Sequence, residues 1–189
     1  MSQPELLRTV VLFLEQAGID CMLTGSLVSS LQGEPRATHD IDIVVKMRQS
    51  HVDVILQAFT PPRFYASEPA IRQAVKELGM FNVLDTGEGD KVDFWLLTGE
   101  PFDVSRFGRR QVEEVVGILV PVSAPEDTIL AKLRWAKLSG GSEKQYTDAL
   151  RVYELQHGVL DSEYLEQWVR ELGLEESWAR LRNEAEPLP

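Results

Sequence analysis

Cysteine is all but missing from this chain. Of 189 residues only Cys21 carries a thiol, so no intrachain disulfide can form. The three histidines, His39, His51 and His157, fall at no metal-ligand spacing, and without a second cysteine a zinc site is not expected. Basic residues are scarce: 19 Lys and Arg stand against 30 Asp and Glu, a formal net charge of -11. So acidic a surface repels phosphate backbones and disfavours broad, nonspecific nucleic-acid binding. It leaves room for a local basic pocket around a nucleotide, for an RNA end held by a few contacts, or for a protein acceptor. No apolar run approaches the ~20 residues that span a bilayer, so no membrane partner is expected. The opening stretch MSQPELLRTVVLFLEQAG lacks a basic start and places Glu5 and Glu15 among its apolar residues, the pattern of an amphipathic helix and not of a signal peptide. With the lone cysteine, this predicts a cytoplasmic protein. The chain has no Gly-x-x-x-x-Gly-Lys-Ser/Thr run, and Gly87-Glu88-Gly89 is too slight for a dinucleotide fingerprint. It has no internal repeats.

What is present is ordinary globular material, 43% hydrophobic and 26% charged. Leu6, Leu7, Val10, Val11, Leu14 and Ala17 recur at helical spacing before Gly18. Ile19 to Thr24 is a short apolar run that predicts a strand, broken by Gly25-Ser26. A short helix is expected over Leu27 to Leu31, and a second strand over Asp40 to Val45. Ser50 is a candidate cap for a helix to about Phe59, Pro61-Pro62 a break, and Ser67 the cap of a helix to Leu78. Phe81–Leu84 and Val92–Leu97, joined by Asp85-Thr86-Gly87-Glu88-Gly89-Asp90, predict a hairpin. Two more short strands are expected around Gly117. From Ser123-Ala124-Pro125-Glu126, which has the form of a capping box, the pattern is helical to the end. The expected organisation is therefore an α/β part over 1–122 and a helical part over 123–189 that packs on it.

The chemistry concentrates in two places. Asp40 and Asp42 are two apart on a predicted strand, so both carboxylates share one face while Ile41, Ile43 and Val45 share the other. Side-by-side carboxylates repel each other, and a divalent cation between them relieves the repulsion. Hard oxygen ligands of this kind suit Mg²⁺. Taken alone, Asp-Ile-Asp also fits a solvated strand end. Upstream, a strand running into Gly25-Ser26 and a helix offers close backbone approach and free N–H groups to a phosphate, with the Ser26 hydroxyl as a further donor. A simple helix cap fits Gly-Ser equally well. Asp93 lies between Val92 and Phe94, where an unpaired charge is costly and a metal or a basic partner offsets the cost. Asp85 and Asp90 fall in the turn and are weaker candidates. Trp135, Trp168 and Trp178 sit in helical patterns that suit core packing better than base stacking.

Leu23-Thr24-Gly25-Ser26, thirteen residues, then Asp40-Ile41-Asp42 resembles the Gly-Ser…Asp-x-Asp signature of the polymerase-β-like nucleotidyltransferase superfamily. Arg36-Ala37-Thr38-His39-Asp40-Ile41-Asp42 looks like the R-x-T-x-D-I-D variant of its small bacterial members. Leu130-Ala131-Lys132-Leu133 and Tyr146-Thr147-Asp148-Ala149-Leu150 resemble the Lys and Asp motifs of the AbiEii and MenT toxin nucleotidyltransferases. The resemblance implies an α+β nucleotidyltransferase fold: a small mixed sheet flanked by helices, followed by a C-terminal helical bundle. It implies transfer of a nucleoside monophosphate from a nucleoside triphosphate to an acceptor hydroxyl with release of pyrophosphate. Asp40, Asp42 and Asp93 would hold Mg²⁺ or Mn²⁺, and Gly25, Ser26, Arg36, Thr38 and Lys132 would bind the nucleotide. Asp148 would activate the acceptor or orient Lys132; its other reading is a surface pair with Lys144 or Arg151, that of Arg36 a surface pair with Glu34, and that of Lys132 a solvated surface group. The implied acceptor is tRNA, a protein or a small molecule, and a toxin would have an antitoxin protein as partner. A nucleotide- or partner-binding module without turnover, and an aminoglycoside-type adenylyltransferase, are the alternatives.

Overall fold

Strand pairing follows from the alternating apolar residues in the first two thirds of the chain. In the computed structural model, which describes residues 1–186, seven strands form one mixed sheet: β1 (Cys21–Thr24), β2 (Asp40–Val45), β3 (Phe64–Ala66), β4 (Met80–Asp85), β5 (Lys91–Leu96), β6 (Gln111–Val115) and β7 (Ile118–Val122). Their spatial order is β3-β4-β5-β2-β1-β7-β6. β2 runs antiparallel to β1 and parallel to β5, β7 runs parallel to β1, and the remaining neighbours pair antiparallel, β4–β5 and β6–β7 as hairpins and β3–β4 across α4. Among the described residues the helices are α1 (Gln3–Gln16), α2 (Gly25–Gln32), α3 (Val52–Ala58), α4 (Glu68–Glu77), α5 (Pro101–Gly108), α6 (Pro125–Leu138), α7 (Glu143–Gln156), α8 (Ser162–Glu171) and α9 (Glu175–Glu184). This is an α+β architecture with a mixed sheet.

The residues fall into two compact units, one of residues 1–24 and 38–122, the other of 25–37 and 123 onward. The last three residues of the helical part expected at 123–189 lie outside the described residues.

The first unit carries the whole sheet, and its two faces differ. Ile41, Ile43 and Val45 of β2 alternate with the carboxylates and are at most 1% exposed, as are Val92 and Phe94 beside them. Each such side chain contributes roughly 1.5–3 kcal/mol by leaving water. Phe81 and Phe94, paired across β4 and β5, stack at 4.9 Å. Phe13 of α1, Phe59 and Phe64 form an edge-to-face chain at 5.1 and 5.2 Å, tying the first helix to the end of α3 and to β3. On the opposite face Met22 and Val44 pack against Phe107 of α5, with Trp95 and Leu97 alongside. The expected first helix is present, with Leu6, Leu7, Val10, Val11 and Leu14 buried.

Several local expectations are corrected. Ser50 caps no helix, because Gln49–His51 is a 3-10 turn and α3 begins at Val52. The α2 helix starts at Gly25, two residues before Leu27. Gly25 takes φ +72°, a left-handed value that glycine adopts without cost. Strand β3 and helix α5 are additional elements. The Ser123–Glu126 capping box does not form. Ala124 is the N-cap of α6, Ser123 donates to the Ala124 carbonyl, and Glu126 accepts the Asp161 N–H at 2.8 Å instead. Glu126 is only 6% exposed, and a buried carboxylate takes the donor within its reach.

In the second unit α7 packs on α6 and α2. Gln32 ties the end of α2 to both sides, donating to the Ser123 carbonyl at 2.7 Å and accepting from Gln156 at 2.9 Å. Gly33 closes that helix against α7 so tightly that a Cβ would lie 2.9 Å from Ser29 O and 2.9 Å from Val152 N. Both are backbone atoms and cannot swing aside. Gly33→Ala is therefore expected to lower stability by about 2 kcal/mol in urea denaturation, and unchanged stability would contradict so close an approach. Tyr146 anchors α9, with Arg180 3.9 Å above its ring and Glu184 accepting its hydroxyl at 2.9 Å. Trp168 and Trp178 are buried as core residues, whereas Trp135 is 48% exposed and is not.

Candidate functional site

The parallel pairing of β2 with β5 is in register without offset, so Asp40 faces Lys91 and Asp42 faces Asp93. Paired residues point to the same side of a sheet, and two-residue alternation then puts Asp40, Asp42, Lys91, Asp93 and Trp95 on one face. Asp42 and Asp93 stand directly opposite on strands about 4.8 Å apart, a like-charge pairing that destabilises a sheet. Asp93 is only 6% exposed. Its Oδ2 accepts from Lys91 Nζ at 2.7 Å, and the same ammonium lies 3.5 Å from Asp40 Oδ1. Its Oδ1 is buried and has no hydrogen-bond partner among the described residues. The hydrogen bond to Asp93 is the main reason that the Lys91 amine holds its proton more tightly than an ordinary lysine. The Trp95 indole N–H donates to Asp42 Oδ1 at 3.2 Å and fixes the orientation of that carboxyl group.

Three hard-oxygen side chains on one face, one with an orphaned buried oxygen, are of the ligand type that a divalent cation takes. Among the described residues no three His, Cys, Asp or Glu side chains already stand as a metal-holding group. Lys91 engages two of the three carboxylates. Thr38 is half-buried and its carbonyl accepts from the Gln3 side chain at 2.7 Å. His39 lies 3.6 Å from Asp90.

The second unit holds a cluster of its own. Lys132 on α6 is 4% exposed and Asp148 on α7 is 8% exposed, so neither is the solvated surface group that helix position alone suggested. Lys132 Nζ donates to Asp148 Oδ2 at 2.7 Å. Arg36 reaches the same carboxylate in a fork, Nε to Oδ1 at 2.9 Å and Nη2 to Oδ2 at 2.8 Å. The pairings expected for a surface role are absent from the geometry: Arg151 turns to Glu154 and Glu34, and Asp148 goes to Arg36 and Lys132. The Ser26 hydroxyl oxygen accepts from both cations, Arg36 Nη2 at 2.7 Å and Lys132 Nζ at 3.3 Å. A hydroxyl that accepts from two cations keeps its own O–H as a donor. The structure thus brings Ser26, Arg36, Lys132 and Asp148 together.

Burial pushes the Asp148 carboxyl up, but the hydrogen bonds from Arg36 and Lys132 outweigh it and hold its pKa below the ordinary value. A depressed carboxylate pKa stabilises the fold above the ordinary range, and that contribution is lost as pH falls through the folded value. Stability measured from pH 6 down through the acid range should therefore fall more steeply for the parent protein than for Asp148→Asn. Equal slopes would contradict the assignment.

Sequence patterning picked out Asp93 but passed over Lys91 and Trp95. The signal was present in the two-residue alternation from Lys91 through Asp93 to Trp95, which needed the β2–β5 register to acquire meaning.

No family model and no curated protein matches the sequence. Solved structures are similar. The antibiotic-resistance factor ANT(2″)-Ia, in a solution structure, superposes with a TM-score of 0.53 at 13% identity, over 96% of this chain and 95% of that one. ANT(2″)-Ia in complex with adenylyl-2″-tobramycin gives 0.55 at 12% identity, over 93% and 99%. An antigenic nucleotidyltransferase-like protein from Paracoccidioides brasiliensis gives 0.52 at 15% identity, over 98% and 94%. The chain has the α+β nucleotidyltransferase fold. Among the described residues no helix is long and apolar enough to cross a membrane.

Proposed function

We propose that the protein is a Mg²⁺-dependent nucleotidyltransferase that moves a nucleoside monophosphate from a nucleoside triphosphate to an acceptor hydroxyl. The observation that carries this is the carboxylate face: Asp42 opposite Asp93 across paired parallel strands, Asp40 beside them, and a buried Asp93 oxygen left without a partner. Such an arrangement costs stability and is explained by a ligand. Asp40, Asp42 and Asp93 would hold Mg²⁺ or Mn²⁺, which when bound neutralises the charge of the phosphates it touches.

The other residues act by binding and orientation. Arg36 and Lys132 supply fixed positive charge for the triphosphate, and Ser26 donates its hydroxyl hydrogen to a phosphate oxygen. Gly25 and Thr38 complete the nucleotide-binding set by the motif they belong to. Asp148 has both oxygens engaged and a lowered proton affinity. That suits holding Arg36 and Lys132 in place, and does not suit drawing a proton from the acceptor. In the transfer the acceptor oxygen bonds to the α-phosphorus and loses its proton to solvent as the bond from that phosphorus to the α–β bridging oxygen breaks, and pyrophosphate leaves. Catalysis of this kind rests on positioning and charge stabilisation.

The motifs around Lys132 and Asp148 support an RNA end or a protein hydroxyl as acceptor, a toxin role and an antitoxin partner in the cytoplasm. A second line of support favours a cationic small molecule instead: the net charge of -11 attracts polycations, and the fold is shared with ANT(2″)-Ia bound to an adenylylated aminoglycoside. Incubation with each α-labelled triphosphate and Mg²⁺, with tRNA, with an aminoglycoside or with the protein alone, tests both. Pyrophosphate release with label on one acceptor supports the proposal. Absence of release in every arm points to the binding-only alternative.

A further inference from the structure

Lys91 brings an ammonium to the face where a divalent cation is expected. It contacts Asp93 Oδ2 at 2.7 Å and lies 3.5 Å from Asp40 Oδ1, on strands whose register sets Asp40 against Lys91 itself. Resting on the assignment of Asp40, Asp42 and Asp93 as metal ligands, we propose that Lys91 is a built-in competitor of the divalent cation, and must leave Asp93 and Asp40 for the metal to load.

The argument is electrostatic. Asp93 is 6% exposed and its charge needs a cation at all times. The ammonium supplies it while the metal is absent. A divalent ion on the same carboxylates places two further positive charges within a few ångströms of Nζ, and the two cations repel in a partly water-excluded site. Lys91 is able to yield, because its side chain is 39% exposed and its stem has four freely rotating carbons. Swung outward, it needs an anion, and the phosphates of a triphosphate supply one. Metal binding to the nucleotide-free protein is thus opposed by Lys91, and metal and triphosphate binding reinforce each other, each raising the affinity of the other by the same factor. A lysine that only neutralises Asp93 would behave differently: its removal would leave a buried carboxylate pair of unchanged or poorer affinity.

The test is Mn²⁺ binding to nucleotide-free protein, followed by the electron paramagnetic resonance of the free ion. Lys91→Met should bind Mn²⁺ at least about tenfold more tightly than the parent, the effect of losing one charge-assisted hydrogen bond as competitor. Lys91→Arg keeps the competing charge and should bind no more tightly than the parent. Asp42→Asn should lose most of the binding. Affinity in Lys91→Met that equals or falls below the parent's, while Asp42→Asn still loses binding, overturns the competition alone. No Mn²⁺ binding in any of these proteins overturns the metal site and the competition with it. The unmutated protein gives a second measurement that needs no variant to fold: labelling with an amine-reactive acetylating reagent, read by mass spectrometry at Lys91. Mg²⁺ should raise the labelling of Lys91 by releasing it from Asp93. Labelling that stays constant or falls overturns the proposal.

Discussion

Asp42→Asn is expected to reduce nucleotidyl transfer by about 10³-fold or more, because a metal ligand contributes several kcal/mol to charge stabilisation and each 1.36 kcal/mol is a factor of ten in rate. The same substitution should leave the fold at least as stable. Asp42 faces Asp93 across β2 and β5, so neutralising it removes a like-charge pairing, worth roughly 0.5 kcal/mol. Asparagine retains a carbonyl oxygen to accept the Trp95 indole N–H. Lost turnover with a held or raised melting temperature is the signature of a residue kept for function at the expense of stability. A melting temperature that falls sharply would mean that Asp42 is a structural residue, and the loss of turnover would then carry no information about chemistry.

Asp148→Ala should behave in the opposite way. Asp148 sits between two cations, one of them the 4%-exposed Lys132, and its removal takes a carboxylate away from each. Breaking a buried ion pair from one side costs about 3 kcal/mol or more, chiefly because the remaining charge has lost its counterion. Lys132→Met combined with Asp148→Leu removes both charges of the most buried pair and should recover most of that stability, since apolar side chains of similar volume replace such pairs at little cost. The double variant should still bind triphosphate far more weakly than the parent, because Lys132 is gone and Arg36 has lost the fork that aims it. Recovery of stability without recovery of binding separates the two roles of the cluster. If the double variant binds triphosphate normally, Lys132 and Asp148 serve packing alone.

Local patterning made much of this fold legible. Asp40–Val45, the Met80–Leu96 hairpin, the β6–β7 hairpin and the C-terminal helices all carry their own signals: alternation, turn residues, or apolar residues at helical spacing. The elements that escaped are short. β3 has three residues, too few for alternation to register, and α5 buries only Phe102 and Phe107 over its length. The Ser123–Glu126 motif misled because Glu126 found a donor in Asp161, 35 residues away, which no local pattern reveals.

The candidate site divides in the same manner. Asp40 and Asp42 are visible as a pair because one strand displays both. Their relation to Asp93 and Lys91 depends on β2 and β5, about fifty residues apart, lying side by side, and the alternation on one strand does not say which strand becomes its neighbour. Arg36 and Asp148 are 112 residues apart, and only the packing of α2, α6 and α7 within their unit makes them partners. Surface pairings at helical spacing, with Lys144 or Arg151, were the local expectation. Burial decided against them, because a carboxylate 8% exposed takes the fork and ammonium that share its environment.

The central claim is that this chain binds a nucleoside triphosphate through a divalent cation. Calorimetric titration of the protein with each of the four common triphosphates, with Mg²⁺ and again with the metal chelated, measures it directly. Binding of at least one triphosphate that is lost with the metal and lost in Asp42→Asn is the predicted result. No binding of any triphosphate at millimolar concentration in the presence of Mg²⁺ would contradict the account.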